Sequence, residues 1–95
     1  MKNIAVVTGT STGLGLGISE ALAKAGWKVY ATMRNLDKGN AIHNLKQTGL
    51  DIELLQLDVQ SQESIDLAIQ TIIDREGKID LFINNAGIVR KGELL

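Results

Sequence analysis

The stretch that decides the fold is TGTSTGLGLG, residues 8–17, which carries four glycines in ten residues. It follows the short apolar run Ile4–Val7 and precedes a segment whose apolar residues have helical spacing. A glycine inside a regular element costs roughly 0.5–1 kcal/mol relative to alanine, so a run this dense predicts that something approaches the backbone closely. The N-terminus of a helix attracts anions such as phosphate, because its first N–H groups are unpaired and carry partial positive charge. The stretch therefore predicts a phosphate-binding loop between a strand and a helix.

Three glycines of this run have separate expected tasks. Gly9 would supply the tight turn, Gly13 the close approach of a ligand, and Gly15 the close packing of helix on strand. The alternative is a turn followed by a tightly packed helix start that holds no ligand. The loop of nucleoside triphosphatases is excluded, because its Gly-Lys-Ser/Thr ending is missing and the next lysine downstream is Lys24. A diphosphate held by backbone, as in dinucleotides, fits the run better.

Composition limits the class of protein. The chain has 95 residues, which suits one small domain or part of a larger one, and its 44% apolar and 22% charged residues are typical of a globular protein. The net charge of −1 argues against nucleic acid or an anionic membrane as a partner. With no cysteine and the single histidine His43, disulfides, thiolate catalysis and multi-histidine metal sites are excluded. No apolar run approaches the about 18 residues of a membrane span, and we predict a cytoplasmic location.

The rest of the chain alternates between strand and helix signals. Short apolar runs bounded by turn residues predict strands at 4–7, 29–31, 52–57 and 79–83. Helices are predicted from Thr12 or Gly13 to Ala25, over 37–48 and over 62–76. Alternation of this kind implies right-handed crossovers and a parallel sheet covered on both faces. The predicted fold is α/β, a Rossmann-type parallel sheet with strand order 3-2-1-4 that forms one half of a doubly wound fold.

The predicted helices differ in the strength of their signals. The first has an apolar face that consists of Leu14, Ile18, Ala21, Leu22 and Ala25. The second is interrupted by Gly39, whereas the third has Ser61 as its N-cap, Glu63 near its positive end and Gly77 as its stop. The apolar stripe of the third consists of Ile65, Ala68, Ile69, Ile72 and Ile73.

The pattern Thr8-Gly9-x-x-x-Gly13-x-Gly15 resembles the TGxxxGxG fingerprint of the short-chain dehydrogenase/reductase family. Two further stretches resemble the family in the same order, namely LDV at 57–59 and NNAG at 84–87. Each follows a predicted strand, and a ligand of an open α/β sheet lies across the carboxyl ends of the strands. The resemblance covers essentially the whole chain and implies that residues 1–95 are the N-terminal part of an NAD(P)-binding Rossmann domain.

The resemblance also implies which residues contact the cofactor. Asp58 would meet the adenine amino group, although it could also initiate the helix that begins near Ser61. Asn85 would contact the cofactor, unless its motif serves as a hydrogen-bonding turn that holds two strands together. The implied cofactor-binding residues are Gly9, Ser11, Thr12, Gly13, Leu14, Gly15, Arg34, Asp58, Val59, Asn85, Ala86 and Gly87.

The end of the second strand selects between NAD and NADP, because an acid there accepts hydrogen bonds from the ribose 2′-OH whereas a base binds a 2′-phosphate. By resemblance the selecting acid falls at Met33, which is not acidic, and the next residue is Arg34, a bidentate partner for phosphate. We therefore predict NADP rather than NAD. The alternatives are that Arg34 is merely solvated, or that Asp37 binds the ribose, although helix capping is its expected task. Thr12 takes the position at which many NADP-dependent members carry Arg or Lys.

Catalysis in the family requires a tyrosine, a lysine four residues after it, and a nearby serine, since the lysine lowers the tyrosine pKa. The one tyrosine here, Tyr30, lies inside the second predicted strand and has Arg34 four residues on. Tyr30 is therefore expected to serve in packing, and His43 to lie at the surface. No catalytic residue and no metal site are predicted.

The resemblance implies an NADP-dependent oxidoreductase that transfers a hydride between nicotinamide and a small carbonyl or alcohol substrate. We expect the catalytic half to be missing from this chain, which would be inactive alone, and the full-length protein to form a homo-oligomer. The predicted fourth strand supports this expectation, because an apolar strand at a sheet edge invites aggregation. The alternatives are a catalytically silent dinucleotide-binding module and a nonfunctional truncated product.

Overall fold

The computed structural model describes residues 2–85. Its elements in chain order are β1 (Ile4–Val7), α1 (Gly13–Lys24), β2 (Lys28–Met33), a 3-10 turn (Leu36–Lys38), α2 (Asn40–Gln47), β3 (Ile52–Gln56), α3 (Gln62–Glu76) and β4 (Leu81–Ile83). The strands pair in parallel in the order β3-β2-β1-β4, which confirms the predicted topology. No helix within residues 2–85 has both the length and the apolar character needed to cross a bilayer.

The central strands are apolar because helices cover the sheet on both faces. All residues of β1 are buried, and so are those of β2 after its first. Alternate residues of β2 point to opposite faces: Val29 and Ala31 pack with Ile42 of α2 on one face, whereas Tyr30 packs with Ile72 of α3 on the other. The sheet therefore has an apolar core on each of its two faces.

The bounds of α3 agree with the prediction, because both of its ends carry local signals. The Ser61 hydroxyl accepts a hydrogen bond from the Ser64 backbone N–H at 3.2 Å, and Gly77 ends the helix with a left-handed φ of 80°. The predicted apolar stripe is only partly buried. Ala68 and Ile72 lie in the core, whereas Ile73 is 37% exposed.

The face of α1 that packs on the sheet is only partly the predicted one, since Ile18 and Leu22 pack against the core as expected. The buried residues are Gly15, Ser19 and Ala23, whereas Leu14 is 64% exposed and Ala21 is exposed. The prediction missed Gly15 and Ser19 because it counted only apolar side chains. Ser19 is small and its hydroxyl donates to the Gly15 carbonyl at 2.9 Å, so it can be buried without leaving a polar group unpaired.

The predicted helix over 37–48 is divided into the 3-10 turn and α2. Asn35, and not Asp37, caps the turn, because its side-chain oxygen accepts from the Asp37 backbone N–H at 3.0 Å. Gly39 separates the two pieces and is buried; a Cβ placed there would lie 2.5 Å from Cδ2 of Leu54. Glycine therefore lets the turn pack directly on β3. His43 is exposed, as predicted.

The fourth strand is shorter than predicted and lies at the edge of the sheet formed by residues 2–85. Asp80 fixes its start, since its backbone N–H donates to the Ile4 carbonyl at 2.8 Å and its carboxylate accepts from the Ile4 N–H at 2.7 Å. This backbone hydrogen bond, aided by Lys78, holds the pKa of Asp80 below its usual value. Phe82 in the middle of β4 is 39% exposed.

Candidate functional site

The loop between β1 and α1 uses glycine where its backbone requires it. Gly9 and Gly13 have positive φ angles of 67° and 65°, a conformation that costs glycine no steric penalty. A Cβ on Gly15 would lie 2.3 Å from the Gly9 carbonyl oxygen and 2.5 Å from Nδ2 of Asn85. A Cβ on Gly13 would meet no atom within 4 Å. Gly15 is thus a packing position, as predicted, although its contacts are with the loop and Asn85, and Gly13 borders open space.

Among residues 2–85, no side chain caps the backbone donors at the N-terminus of α1. Thr12 is the N-cap residue in extended conformation, but its hydroxyl makes no capping bond and the first turn contains no acidic residue. α3 shows the opposite arrangement, with a capping bond from Ser61 and with Glu63 in its first turn. The first N–H groups of α1 and their partial positive charge are therefore available to an anion.

A cleft of about 350 Å³ lies beside this loop. Its walls come from the glycine loop, from the end of β2 with the 3-10 turn, and from the residues that follow β3. The lining residues are Gly9, Ser11, Met33, Arg34, Asn35, Lys38, Leu57, Asp58, Val59 and Gln60. The carboxyl ends of three neighbouring strands thus converge on one cavity, which is where open α/β sheets bind ligands.

The structure brings part of the predicted site together in this cleft. The predicted residues that line it are Gly9, Ser11, Arg34, Asp58 and Val59. Thr12, Gly13 and Leu14 are exposed at the start of α1, Gly15 is buried against the loop, and Asn85 lies behind the loop. Ala86 and Gly87 lie outside the described residues. Contact of each of these residues with a cofactor stays a prediction.

Lys38 is a cleft residue that the sequence did not single out. It shares the cleft with Arg34 because the 3-10 turn folds the chain back after β2. The Arg34 carbonyl accepts from Nε2 of Gln56 at 3.0 Å, which ties this corner to β3. Asp37, between the two cations in sequence, does not line the cleft. The sequence analysis predicted a helix over 37–48 and therefore did not place Lys38 beside Arg34.

Asp58 serves the chain locally and also faces the cleft. Its Oδ1 accepts from the Gln60 N–H at 3.0 Å, its backbone N–H donates to the Ser64 hydroxyl at 2.8 Å, and its carbonyl accepts from the Ser61 N–H. These bonds fit the helix-initiating role. Oδ2 makes no hydrogen bond within residues 2–85, so one carboxylate oxygen remains for a ligand.

The asparagines after β4 connect that strand to the glycine loop. Asn84 accepts from the Thr8 hydroxyl at 3.0 Å, and Nδ2 of Asn85 donates to the Gly9 carbonyl at 3.0 Å. These bonds support the scaffold alternative for the motif. Oδ1 of Asn85 is buried and has no hydrogen-bond partner among the residues that the structure describes, which leaves an acceptor at the back of the loop.

Tyr30 is a core residue, as predicted, and lies away from the cleft. It is 1% exposed, and its hydroxyl donates to the Glu76 carboxylate. Burial, together with this bond, raises the pKa of Tyr30 to about 12. A phenol with this pKa does not exchange protons near neutral pH. Residues 2–85 also contain no cluster of His, Cys, Asp or Glu that could hold a metal ion.

Comparison with known proteins identifies similar proteins along nearly the whole chain. The model of the short chain dehydrogenase family matches residues 3–95. A short-chain dehydrogenase/reductase of Penicillium rubens is 38% identical over 89 residues, which are 93% of this chain and 26% of that protein.

Solved structures resemble the fold closely. Menthone neomenthol reductase from Mentha piperita matches with a TM-score of 0.84 and 32% identity, over 93% of this chain and 32% of that one. A metagenomic short-chain oxidoreductase in complex with NADP matches with a TM-score of 0.83 and 27% identity, over 96% of this chain and 46% of that one. The chain therefore spans less than half the length of each of these relatives.

Proposed function

Because the chain belongs to the short-chain dehydrogenase family, we propose that its cleft binds NADP(H) as the cofactor-binding part of an oxidoreductase. The nicotinamide, when bound, supplies hydride exchange with a carbonyl or alcohol carbon of a small substrate. The chain's own task is to bind and orient this cofactor. Residues 1–95 would be the N-terminal part of the NAD(P)-binding domain. A cytoplasmic location and a homo-oligomeric full-length protein stay predictions.

The residues around the α1 N-terminus fit a diphosphate. A bound anion would accept hydrogen bonds from the first N–H groups of α1, which no side chain of residues 2–85 caps. Gly13 borders open space, so a ligand could reach these groups without meeting a side chain there. This uncapped, glycine-lined helix start at a three-strand cleft is the observation that carries the proposal.

The opposite walls of the cleft fit the adenosine half of the cofactor. Asp58 offers its unpaired carboxylate oxygen to the adenine amino group, and Val59 lines the same wall. Arg34 lines the wall at the end of β2, where a 2′-phosphate would lie. The one carboxylate among the lining residues, Asp58, belongs to the wall that follows β3. The relative solved in complex with NADP supports the choice of NADP over NAD.

The proposal is tested by titrating the chain with NADPH and following nicotinamide fluorescence. We expect saturable binding that Gly13→Ala weakens about tenfold or more, because a Cβ would stand in the open space beside the α1 N-terminus. Gly49→Ala is the matched control: Gly49 also has a positive φ, 97°, and open surroundings. Alanine there is also strained by a positive φ, but Gly49 follows the C-terminus of α2 and is not part of the glycine loop.

Two outcomes would contradict the proposal. One is the lack of saturable binding by the unmodified, folded chain, which is the result expected of a nonfunctional truncated product. The other is equal affinity in Gly13→Ala and Gly49→Ala. A silent binding module differs from an oxidoreductase in a further respect, because only the latter oxidises NADPH when assayed at full length with carbonyl compounds. The 95-residue chain by itself is expected to bind without turnover.

A further inference from the structure

The wall of the cleft that follows β3 is formed by a turn and not by a regular element. β3 ends at Gln56 and α3 begins at Gln62, and Asp58 and Val59 line the cleft between them. A side chain on such a segment keeps a fixed direction only if other groups hold the backbone that carries it. The hydrogen bonds around Asp58 therefore decide where its carboxylate points.

Within residues 2–85, three hydrogen bonds hold Asp58. Its carbonyl accepts from the Ser61 N–H at 3.0 Å, and its Oδ1 accepts from the Gln60 N–H at 3.0 Å. Its own N–H donates to the Ser64 hydroxyl at 2.8 Å. The first two partners belong to the turn itself, whereas Ser64 belongs to α3. The bond to Ser64 is thus the one of the three that joins the turn to a regular element.

Ser64 can accept this bond because the start of α3 is itself fixed. The Ser61 hydroxyl accepts from the Ser64 N–H at 3.2 Å, and Ser64 is the third residue of the helix. In a capping box the side chain at this position reaches back to the N–H of the N-cap residue. Here the Asp58 carbonyl already accepts from the Ser61 N–H, and the Ser64 hydroxyl accepts instead from Asp58, which precedes the cap. The helix start and the cleft wall therefore share one hydrogen-bonded unit.

This unit leaves one oxygen of the Asp58 carboxylate for a ligand. Oδ1 accepts from Gln60, and Oδ2 makes no hydrogen bond within residues 2–85. Ser64 is half-buried and is not among the residues that line the cleft. An effect of Ser64 on a bound ligand would therefore pass through Asp58.

We propose that Ser64 is a positioning residue for adenine recognition, because its hydroxyl holds the Asp58 backbone so that Oδ2 faces the amino group of the adenine. Without this acceptor the partly buried Asp58 N–H would lose its partner, which costs free energy. The turn would then relax and the carboxylate would lose its fixed direction. This inference rests on the proposed function and adds to it the residue that sets the selectivity of the adenine wall.

The test compares NADPH with its deaminated analogue, reduced nicotinamide hypoxanthine dinucleotide phosphate, in which a carbonyl oxygen replaces the adenine amino group. The chain is titrated with each dinucleotide, and nicotinamide fluorescence is followed. The unmodified chain should prefer NADPH about tenfold, because Oδ2 of Asp58 can accept from an amino group but not from a carbonyl. Ser64→Ala should weaken NADPH binding about fivefold and leave binding of the analogue nearly unchanged.

Further variants test whether Ser64 acts through Asp58. Ser64→Thr keeps a hydroxyl and should retain most of the preference for NADPH. Asp58→Ala should abolish the preference, and adding Ser64→Ala to it should change neither affinity further. Thr71→Ala is the matched control, because the Thr71 hydroxyl also bonds to backbone of α3, the Leu67 carbonyl at 2.7 Å, and Thr71 does not line the cleft.

The outcomes separate this inference from the function on which it rests. If the unmodified chain binds NADPH but Ser64→Ala weakens both dinucleotides equally, or neither, the role of Ser64 is wrong and the proposed function stands. The role is also wrong if the unmodified chain binds NADPH and the analogue equally. If the unmodified chain binds neither dinucleotide, both proposals fail.

Circular dichroism and the urea midpoint establish that each variant is folded during the titration. If Ser64→Ala is unfolded, Ser64→Cys takes its place, because a thiol fills a similar space but its sulfur is a weaker acceptor than the hydroxyl oxygen. The same selective loss of NADPH affinity is expected of this variant, and its absence would overturn the role of Ser64.

Discussion

Gly15 and Gly17 lie on the same helix, yet they have different surroundings. A Cβ on Gly15 would collide with the Gly9 carbonyl oxygen and with Nδ2 of Asn85, whereas a Cβ on Gly17 would meet nothing within 4 Å. The sequence presents both as members of one glycine run. Only the structure distinguishes a glycine that closes the loop from one that weakens the helix without a contact.

Alanine substitutions at these two glycines should therefore change stability in opposite directions. Gly15→Ala should lower the free energy of unfolding by about 1–3 kcal/mol, the usual cost of overpacking. Gly17→Ala should raise it by about 0.5–1 kcal/mol, because alanine is the better helix former. Urea unfolding followed by circular dichroism measures both. A stabilising Gly15→Ala would contradict the close contact with the loop.

Tyr30 offers a direct test of the core, because it is the one tyrosine in the chain. Its pKa is raised to about 12 by burial and by the bond to Glu76, against about 10 in an unfolded chain. The folded state therefore holds the phenolic proton more tightly. This stabilisation is fully present below about pH 10 and is lost as the pH rises toward 12.

Tyrosinate absorbance at 295 nm, a wavelength chosen for the ionised phenol, follows this titration. We expect a midpoint near 12 in the folded chain and near 10 in urea, about the model value. Tyr30→Phe should abolish the signal and flatten the loss of stability at high pH. An equal midpoint in the folded and unfolded chain would show that the phenol is not buried against Glu76.

The helices show which features could be read from sequence and which could not. The bounds of α3 were predictable because Ser61 and Gly77 act within one turn of its ends. The buried face of α1 was predictable only in part: Ile18 and Leu22 pack on the core as expected, whereas Gly15 and Ser19 were missed because they are not apolar. The division at Gly39 and the placement of Lys38 in the cleft also escaped prediction, since they depend on packing against β3, a strand more distant in sequence. Helix ends can be predicted because capping residues act on their sequence neighbours. Contacts between elements cannot be predicted by counting apolar side chains along one helix.

The N-termini of α1 and α3 should respond differently to loss of their cap residues. Ser61→Ala removes a hydrogen bond to the Ser64 N–H and should lower the free energy of unfolding by about 0.5–2 kcal/mol. Thr12→Ala removes no capping bond and should change it by less than about 0.5 kcal/mol. Urea unfolding of the pair measures the difference. Equal losses would mean that the Thr12 hydroxyl caps α1 after all.

The sheet as a whole has one apolar edge within the described residues. β4 pairs with β1 on one side only, and Phe82 in its centre is 39% exposed. A second cavity, of about 320 Å³, lies next to it and is lined by Leu57, Val59, Ile65, Ile69, Phe82 and Asn84. An apolar edge strand beside an apolar cavity is a surface that another chain can cover.

We expect the 95-residue chain to self-associate through this edge. Phe82→Lys should shift the population toward monomer, because a charge on an edge strand opposes pairing with a second strand. Leu67→Lys is the matched control, since Leu67 is 68% exposed but lies on α3. Sedimentation velocity over a range of concentrations measures both. A monomeric unmodified chain, or an equal effect of the two lysines, would contradict a role for β4.

The bond between Asn85 and the Gly9 carbonyl joins residues 76 positions apart, and it affects how the chain acquires its fold during synthesis. β1 emerges from the ribosome first, but one of its two neighbours in the sheet is β4, the last strand of the described chain. Pairings this distant in sequence form slowly, because the intervening chain must first be ordered. During synthesis the glycine loop therefore lacks the hydrogen bond from Asn85 to the Gly9 carbonyl until Asn85 has been translated.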